Sequence, residues 1–519
     1  MGDTLVVMQA IGTAITRLVG TPPALSPVDL AYAARTESLE RDREYLHHSN
    51  YYQGHQRDPR PLLTNPLARV SSLGAGDYNW QPRHNALAKV IDTLVNRLSV
   101  YGFTADGLSD VDRATVATLL GGWWRAARMD EVQNTLHAQA FITGDAYLVT
   151  RIGAAGRPYW TYHHALTMLP VYDSEGTMRA CYQVLSEYIQ DDGLSRERRR
   201  LTIYRPGEIS KYWSWAGVGE WKLWTEDGDG GLIPWLDTQG QPLGIPVHHF
   251  RNRPRGADFG TSELEALIPL QDEYNRRVYN VSQAAAYAGS TQKYIVDAGA
   301  APANPDGTQP VTYKSGPGDV WLIQSRGEHN ANVGSFPASD LAQAQDVADR
   351  ELRTIAAFAD IPLYLFLPEG ALPSGESLKV SEGALVAKCR DRAITFGDAW
   401  EDAQTMALRL AARFAGMSLP DPATYTLTTQ WAPFETRSAE SDARVVGMIG
   451  DLLGPRESLR VLGYTDEEAD RIAEEKTAAG EMFESIDYEL RRVQLENARS
   501  LLESRQQLID ERAAAAGDA

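Results

Sequence analysis

Few side chains in this 519-residue sequence stand in arrangements that could do chemistry. Three His-His pairs, His47-His48, His163-His164 and His248-His249, offer imidazoles for metal binding or proton transfer. Neighbours on a strand project to opposite faces, so one pair on a simple strand cannot chelate a single ion. Half-buried or surface histidines are the expected reading, and no metal site is assigned. The two cysteines, Cys181 and Cys389, have no histidine nearby in sequence to activate them. They read as core thiols, and two such distant thiols do not make a disulfide framework. The run from Glu226 to Gly231 faintly resembles a calcium loop, but counting from Asp227 its twelfth position is Thr238, where a glutamate is needed. No glycine precedes any lysine, so the phosphate-cradling Gly-Lys-Ser/Thr loop is absent. Neither a His-Glu-x-x-His metalloprotease helix nor a Gly-x-Ser-x-Gly elbow occurs. No catalytic constellation and no cofactor motif is found.

What remains is recognition chemistry. One basic run holds Arg196, Arg198, Arg199 and Arg200, and a second holds Arg251, Arg253 and Arg255. Each could hold phosphate, or carboxylates of a neighbouring subunit. Trp213, Trp215, Trp221, Trp224 and Trp235 cluster in sequence. They fit a sugar-stacking face or, more simply, the core of a small β-subdomain. The chain carries 50 Lys+Arg against 69 Asp+Glu, a net charge of −19. That excludes a bulk-cationic nucleic-acid binder, because the summed field repels phosphate.

The elements that position these groups follow from periodicity. Residues 1–60 read as helical, with Leu5, Met8, Ile11, Ile15 and Leu18 at 3–4 spacing. Leu87, Val90, Ile91, Leu94 and Leu98 mark another helix, and 112–140 continues helical. Short aromatic and β-branched runs at 147–150, 159–162, 181–184 and 201–204 then predict strands, and 212–235 extends that β-rich part. Ser262 with Glu265 reads as a capping box, after which Pro269 either kinks that helix or opens the main one. A β-prone insert with 294–296, 311–313 and 320–323 separates it from a helix through Leu341, Leu352 and Ala359. Cys389, Ala393, Phe396, Trp400, Ala403, Ala407, Leu410 and Phe414 alternate steps of four and three, the seam of a helix of about 40 residues, ~60 Å long. The small seam residues Ala393, Ala403 and Ala407 would permit close approach of a neighbouring subunit or of the chain's own layers. Before it lies a proline-rich loop from Ile361 to Pro373 that is unusually apolar. Residues 435–512 hold 19 acidic and 11 basic residues and read as helical. The class is α+β. No stretch approaches the 18–20 apolar residues of a membrane span, and no signal peptide or myristoylation pattern opens the chain, so a cytoplasmic product without a membrane partner is expected.

This order resembles the portal (head-to-tail connector) proteins of tailed bacteriophages, of the long-tailed type that infects actinobacteria. The segments that carry it are 85–103 (NALAKVIDTLVNRLSVYGF), 124–130 (WRAARMD), 137–149 (HAQAFITGDAYLV) and 249–280 (HFRNRPRGADFGTSELEALIPLQDEYNRRVYN). The resemblance implies a wing over 1–260, stem helices over 261–289 and 341–360, and a clip over 290–340. It further implies a tunnel loop over 361–374, a long wing helix and return strand over 375–434, and a helical crown and tail over 435–519. Such proteins form dodecameric rings at one capsid vertex, through which a separate terminase ATPase pumps double-stranded DNA and through which DNA later leaves. Terminase, major capsid and scaffolding proteins and head–tail adaptor proteins are the implied partners. The implied location is the virion, after assembly in the host cytoplasm. The loop residues expected near DNA are Leu363, Tyr364, Phe366, Leu367, Glu369, Leu372 and Ser374. The arginines of both basic runs are expected as subunit or phosphate contacts. A carbohydrate-binding or carbohydrate-active protein is the alternative, carried by the tryptophans and the abundant carboxylates.

Overall fold

The computed structural model describes residues 39–57, 84–153, 156–191, 194–216, 221–225, 230–254, 258–288, 293–296, 332–335, 341–366 and 375–435, with isolated positions between 459 and 472. The chain divides into two units, Met1–Leu372 with Glu382–Phe434, and Pro373–Ser381 with Glu435–Ala519. In the second unit, described residues are the first turns of the long helix, Glu435, and helical positions at Leu459, Ala469, Arg471 and Ile472. The expected helix near Leu5–Leu18, the strands 311–313 and 320–323, the 226–229 part of the calcium-like run and nearly all of 435–512 lie outside the described residues.

The first unit opens with α1 (Leu39–Tyr52) and α2 (Ala86–Val95). Asn85 caps α2 by accepting the Ala88 N–H, and its apolar stripe faces inward. β1 (Val100–Asp106) follows, and then α3 (Asp110–Ala126), which Ser109 caps with Asp110 and Asp112 in the favoured first turn. The single helix expected over 112–140 is two. Arg128 takes φ 52, left-handed, which ends the helical run, and α4 (Met129–Thr143) starts directly after it. The Trp124 indole donates to Asp130 across this break.

β2 (Asp145–Ile152) lies between β3 (Pro158–His164) and β10 (Val247–Arg251), both antiparallel to it. A second sheet has the order β4 (Met168–Tyr172), β5 (Met178–Asp191), β6 (Leu194–Arg205), β7 (Glu208–Trp215) and β8 (Lys222–Leu223), with β9 (Leu232–Pro234) also on β7. Gly144 has to be glycine. It takes φ 96 at the end of α4, and a Cβ there would meet the Gly260 carbonyl group at 2.8 Å.

α5 spans Ile268–Ala288. It does not begin at Ser262, whose hydroxyl accepts the Leu264 N–H and donates to the Ile142 carbonyl. Pro269 sits in the first turn, where its missing N–H costs nothing, and so opens the helix rather than kinking it. α6 (Leu341–Phe358) packs along α5, and between them β11 (Lys293–Val296) pairs antiparallel with β12 (Asn332–Ser335). α7 runs from Gly375 to Phe414, 40 residues or ~60 Å. β13 (Thr426–Trp431) then returns to pair with β1.

The largest core gathers α2, α4 and α7 through Leu87, Ile91 and Leu94 of the first, Leu136 and Phe141 of the second, and Phe396 and Trp400 of the third. Ala393, Ala403 and Ala407 are buried in that same core. The seam of α7 therefore packs against its own chain, where small residues let β2, β3 and α7 approach closely. Thr150 and the Trp160 indole both reach the Ala403 carbonyl at 3.5 Å. Cys181 and Cys389 are buried free thiols, and burial pushes both up, Cys389 to about 11. At neutral pH they are packing groups.

Candidate functional site

The apolar loop begins inside the protein. Asp360 turns the chain at φ 57 after α6, and Ile361 and Pro362 are buried. Leu363–Leu365 make one 3₁₀ turn from which Leu365 and Phe366 pack on the main core, while Leu363 is exposed. Tyr364 donates its hydroxyl to Glu382 of α7, and Arg97 at the end of α2 pairs with the same carboxylate at 2.9 Å. Arg97 also donates to the Phe434 carbonyl, so one guanidinium ties α2, α7 and the end of the unit together. Burial first, and then the Glu382 carboxylate, push the Tyr364 hydroxyl up to about 12. The root of the loop is thus fixed by its own subunit. Leu367, Glu369, Leu372 and Ser374 lie outside the described residues. Tyr364→Phe removes a hydrogen bond to a charged group in a half-buried site, and a loss of about 1–2 kcal/mol in urea unfolding is expected.

The two basic runs come to different places. Arg198 pairs with Glu187 at 2.8 Å, Arg199 pairs with Glu197, and Arg196 and Arg200 lie over tryptophan rings. Arg251 sits 5.7 Å from the Tyr172 ring centroid, and Arg253, in left-handed backbone, lies 3.9 Å from Glu263. Arg255 is outside the described residues. Trp224 and Trp235 are buried, and Trp213 and Trp215 stack edge-on against each other. The open row of indole faces that sugar stacking needs is not formed.

His47 and His48 lie on the helix α1 rather than on a strand, while the pair in β10 separates as strand geometry requires. His248 meets the Thr150 hydroxyl at 2.8 Å, while His249 meets Asp145 at 2.7 Å and the Tyr172 hydroxyl at 2.6 Å. Asp145 is a hub that sequence reading missed. Fully buried, it also accepts from the Tyr45 hydroxyl and from the Gly260 N–H. An acid opening an otherwise apolar strand directly after a helix-ending glycine was the available signal. A second missed hub is Glu263. It is buried among Lys388, Arg392 and Asn252, and Lys388 also donates to the Ala359 carbonyl at the end of α6. That cluster joins the entry of α5, the exit of α6 and the middle of α7.

A family model described as "Phage portal protein, SPP1 Gp6-like" matches residues 35–482. The portal protein of Mycobacterium phage D29 is 26% identical over 460 residues, covering 85% of this chain and 87% of its own length. That of Mycobacterium phage L5 is 24% identical over 485 residues, covering 88% and 91%. Among solved structures, the neck of an empty gene transfer agent particle, computed with C6 symmetry, shares 13% identity at a TM-score of 0.41, over 73% of this chain and 89% of that one. The neck of the native particle, computed with C12 symmetry, shares 14% at a TM-score of 0.36, over 77% and 98%. Likeness at those TM-scores carries no functional weight. The family match runs through helices, sheets and both hubs, and by it this chain belongs to the SPP1 Gp6-like family of phage portal proteins.

Proposed function

We propose that the chain is the portal subunit of a tailed phage, copies of which close into a twelve-membered ring at one capsid vertex. The observation that carries this reading is the family match over 35–482. Double-stranded DNA enters and leaves through the ring, while the chemistry of ATP hydrolysis belongs to a separate terminase. Major capsid and scaffolding proteins surround the ring, and head–tail adaptors replace the terminase once the capsid is full. The ring is assembled in the host cytoplasm and kept in the virion.

In this reading α5 and α6 are the stem, and β11 with β12 begins the clip. A ladder of four residues per strand is marginal in isolation, which favours completion by a neighbouring subunit or a docked partner. The 40-residue α7 is the spine of the wing, residues 435–512 supply the crown, and the segment after Phe366 reaches toward DNA. Glu369 is the only charge between Ile361 and Ser374, so DNA contact there is steric and apolar.

Negative-stain images of the purified chain test the ring directly: closed rings with a central hole are expected, and small single particles at every salt and protein concentration would overturn it. Leu372→Asp tests the loop. Rings of normal stability with impaired DNA retention or packaging are expected, and a variant that fails to fold would place Leu372 in the core instead.

A further inference from the structure

Among the described residues, three that are not glycine hold a left-handed backbone: Arg128, Arg253 and Asp360. Arg128 separates α3 from α4. The other two, far apart in sequence, flank one buried ion cluster. Arg253 Nη1 lies 3.9 Å from Oε2 of Glu263, and Asp360 Oδ2 lies 3.9 Å from Nζ of Lys388. At that distance each stands beside an opposite charge without hydrogen bonding to it. Left-handed backbone outside glycine persists only where the surroundings over-determine it, and such residues gather at places that serve more than stability. Asp360 is disfavoured twice over. α6 ends in a Schellman turn, in which the Ile361 N–H donates to the Ala356 carbonyl at 3.0 Å and the Asp360 N–H to that of Ala357 at 3.3 Å. The left-handed residue of such a turn is ordinarily glycine or asparagine, and a carboxylate there meets the negative end of the helix dipole.

Lys388 offsets both from α7. Its ammonium donates to the Ala359 carbonyl at 2.9 Å, capping α6, and pairs with Oε2 of Glu263 at 2.9 Å. Oε1 of Glu263 is held separately, by Arg392 at 2.8 and 2.9 Å and by Asn252 at 3.1 Å. Beside this set of bonds stand the parts of a second. Oε2 has Lys388 at 2.9 Å and Arg253 at 3.9 Å, while Lys388 has Glu263 at 2.9 Å and Asp360 at 3.9 Å. If the ammonium passes to Asp360 and Arg253 closes on Oε2, every charge keeps an opposite partner. The exchange then escapes the penalty of an unpaired buried ion. Asp360 is 52% exposed, so the ammonium also moves toward water. What is given up is the bond that caps α6.

We propose that Lys388 is a two-position latch on the exit of α6. In the position described it holds Glu263 and the Ala359 carbonyl. In the other it pairs with Asp360, and Arg253 replaces it on Glu263. The second position leaves the last turn of α6 uncapped and the chain from Ala359 to Pro362 free to turn, with the Tyr364 hydroxyl, still on Glu382, as the pivot. The entry to the loop then changes direction while Phe396 and Trp400 of α7 stay in the core. The latch is built within one subunit, so it holds or fails independently of ring closure.

Hydrogen exchange of the full-length chain at neutral pH, read by mass spectrometry over peptides that cover Ala356 to Ile361, reports the opening of this turn. D360N keeps a residue that accepts left-handed backbone and removes the second acceptor for Lys388, and R253Q removes the cation that would take its place. Both variants close off the second position, so each should slow exchange at the α6 exit at least about fivefold, with the melting temperature not lowered. K388M should speed that exchange, and D360N added to K388M should change it no further. The sign of the R253Q effect separates a latch from a merely structural cluster, in which loss of a cation beside Glu263 loosens the α6 exit or leaves it alone. Exchange unchanged or faster in R253Q would overturn the latch, as would an R253Q chain that does not fold. Slowing by D360N to the same extent in the K388M background as in wild type would assign the Asp360 effect to the helix dipole and overturn it too. If K388M does not fold, the sign in R253Q decides.

Discussion

Replacing Glu263 by alanine is expected to lower the unfolding free energy by about 3–5 kcal/mol, enough to consume a large part of a typical domain's stability. Its side chain is 1% exposed, and the two cations closest to it, Lys388 and Arg392, are 10% and 8% exposed, with Arg253 a third at 3.9 Å. Removing the carboxylate takes their one buried partner from two desolvated positive charges, leaving Arg392 only the exposed Asp391 and Lys388 only the exposed Asp360 at 3.9 Å, which costs far more than the pair itself is worth. Glu263→Gln keeps the shape and the Asn252 contact while removing the charge, so its loss should approach that of alanine if charge is the cause. Urea unfolding at pH 7 gives the comparison, and a loss below about 1 kcal/mol in both variants would show that the cations find water instead. Burial alone would push the Glu263 carboxyl up, but Lys388 and Arg392 outweigh it and hold the group below the usual 4.5. A depressed carboxyl stabilises the fold at pH above 4.5, and that contribution is lost as pH falls through the folded-state value.

A larger loss is expected at milder acidity, from histidines the fold keeps neutral. His137 is fully buried. It accepts the Trp400 indole N–H at Nε2, 3.0 Å, and its Nδ1 lies 3.1 Å from the Leu98 carbonyl. Only the tautomer with its proton on Nδ1 satisfies both, and a second proton would face the indole N–H directly. Burial pulls His137 down to about 4 and His248 to about 3. Burial first, and then the neighbouring His47 imidazole at His48 and Arg151 at His163, also bring His48 and His163 to about 4. Above pH 6.5 neither folded nor unfolded chain is protonated at these rings, and stability is full. Between 6.5 and about 4 the unfolded chain takes up protons that the fold refuses, so stability falls throughout that window and levels off below it. A fall from 6.5 to about 4 at one fully buried ring corresponds to about 3 kcal/mol. Urea unfolding from pH 8 to pH 4 should show this slope, and His137→Gln should reduce proton uptake on unfolding by one within the window. A wild-type profile flat from 6.5 to 5 would contradict the neutral core.

For a portal, both effects bear on how firmly α7 is held. Glu263 fixes its middle to the ends of α5 and α6, and the His137–Trp400 pair fixes it to α4 and the end of α2. The Tyr364–Glu382–Arg97 cluster fixes its beginning within the first unit to the loop root.

The sequence by itself determined which segments are helices and strands wherever the periodic signal was long. The length of α7 and its end at Phe414 were legible because a stripe repeating at steps of three and four from Cys389 to Phe414 has no other regular solution. Family membership was legible too, from segments such as 137–149 and 249–280 taken in order. The same stripe could not say what would cover it. Ala393, Ala403 and Ala407 suit a neighbouring subunit as well as the chain's own sheet, and only the packed core decided for the latter. Local strength misled at Ser262, where a good capping pattern lost to a hydroxyl recruited by the Ile142 carbonyl and to a proline better placed to start the helix. The hubs were out of reach of local reasoning altogether. Asp145 and His249 are 104 residues apart, Glu263 and Arg392 are 129 apart, and Arg198 faces Trp215 only in one register of the β6–β7 ladder. A buried charge is tolerable only when its partner arrives in space, and arrival is a property of the tertiary fold, not of spacing along the chain.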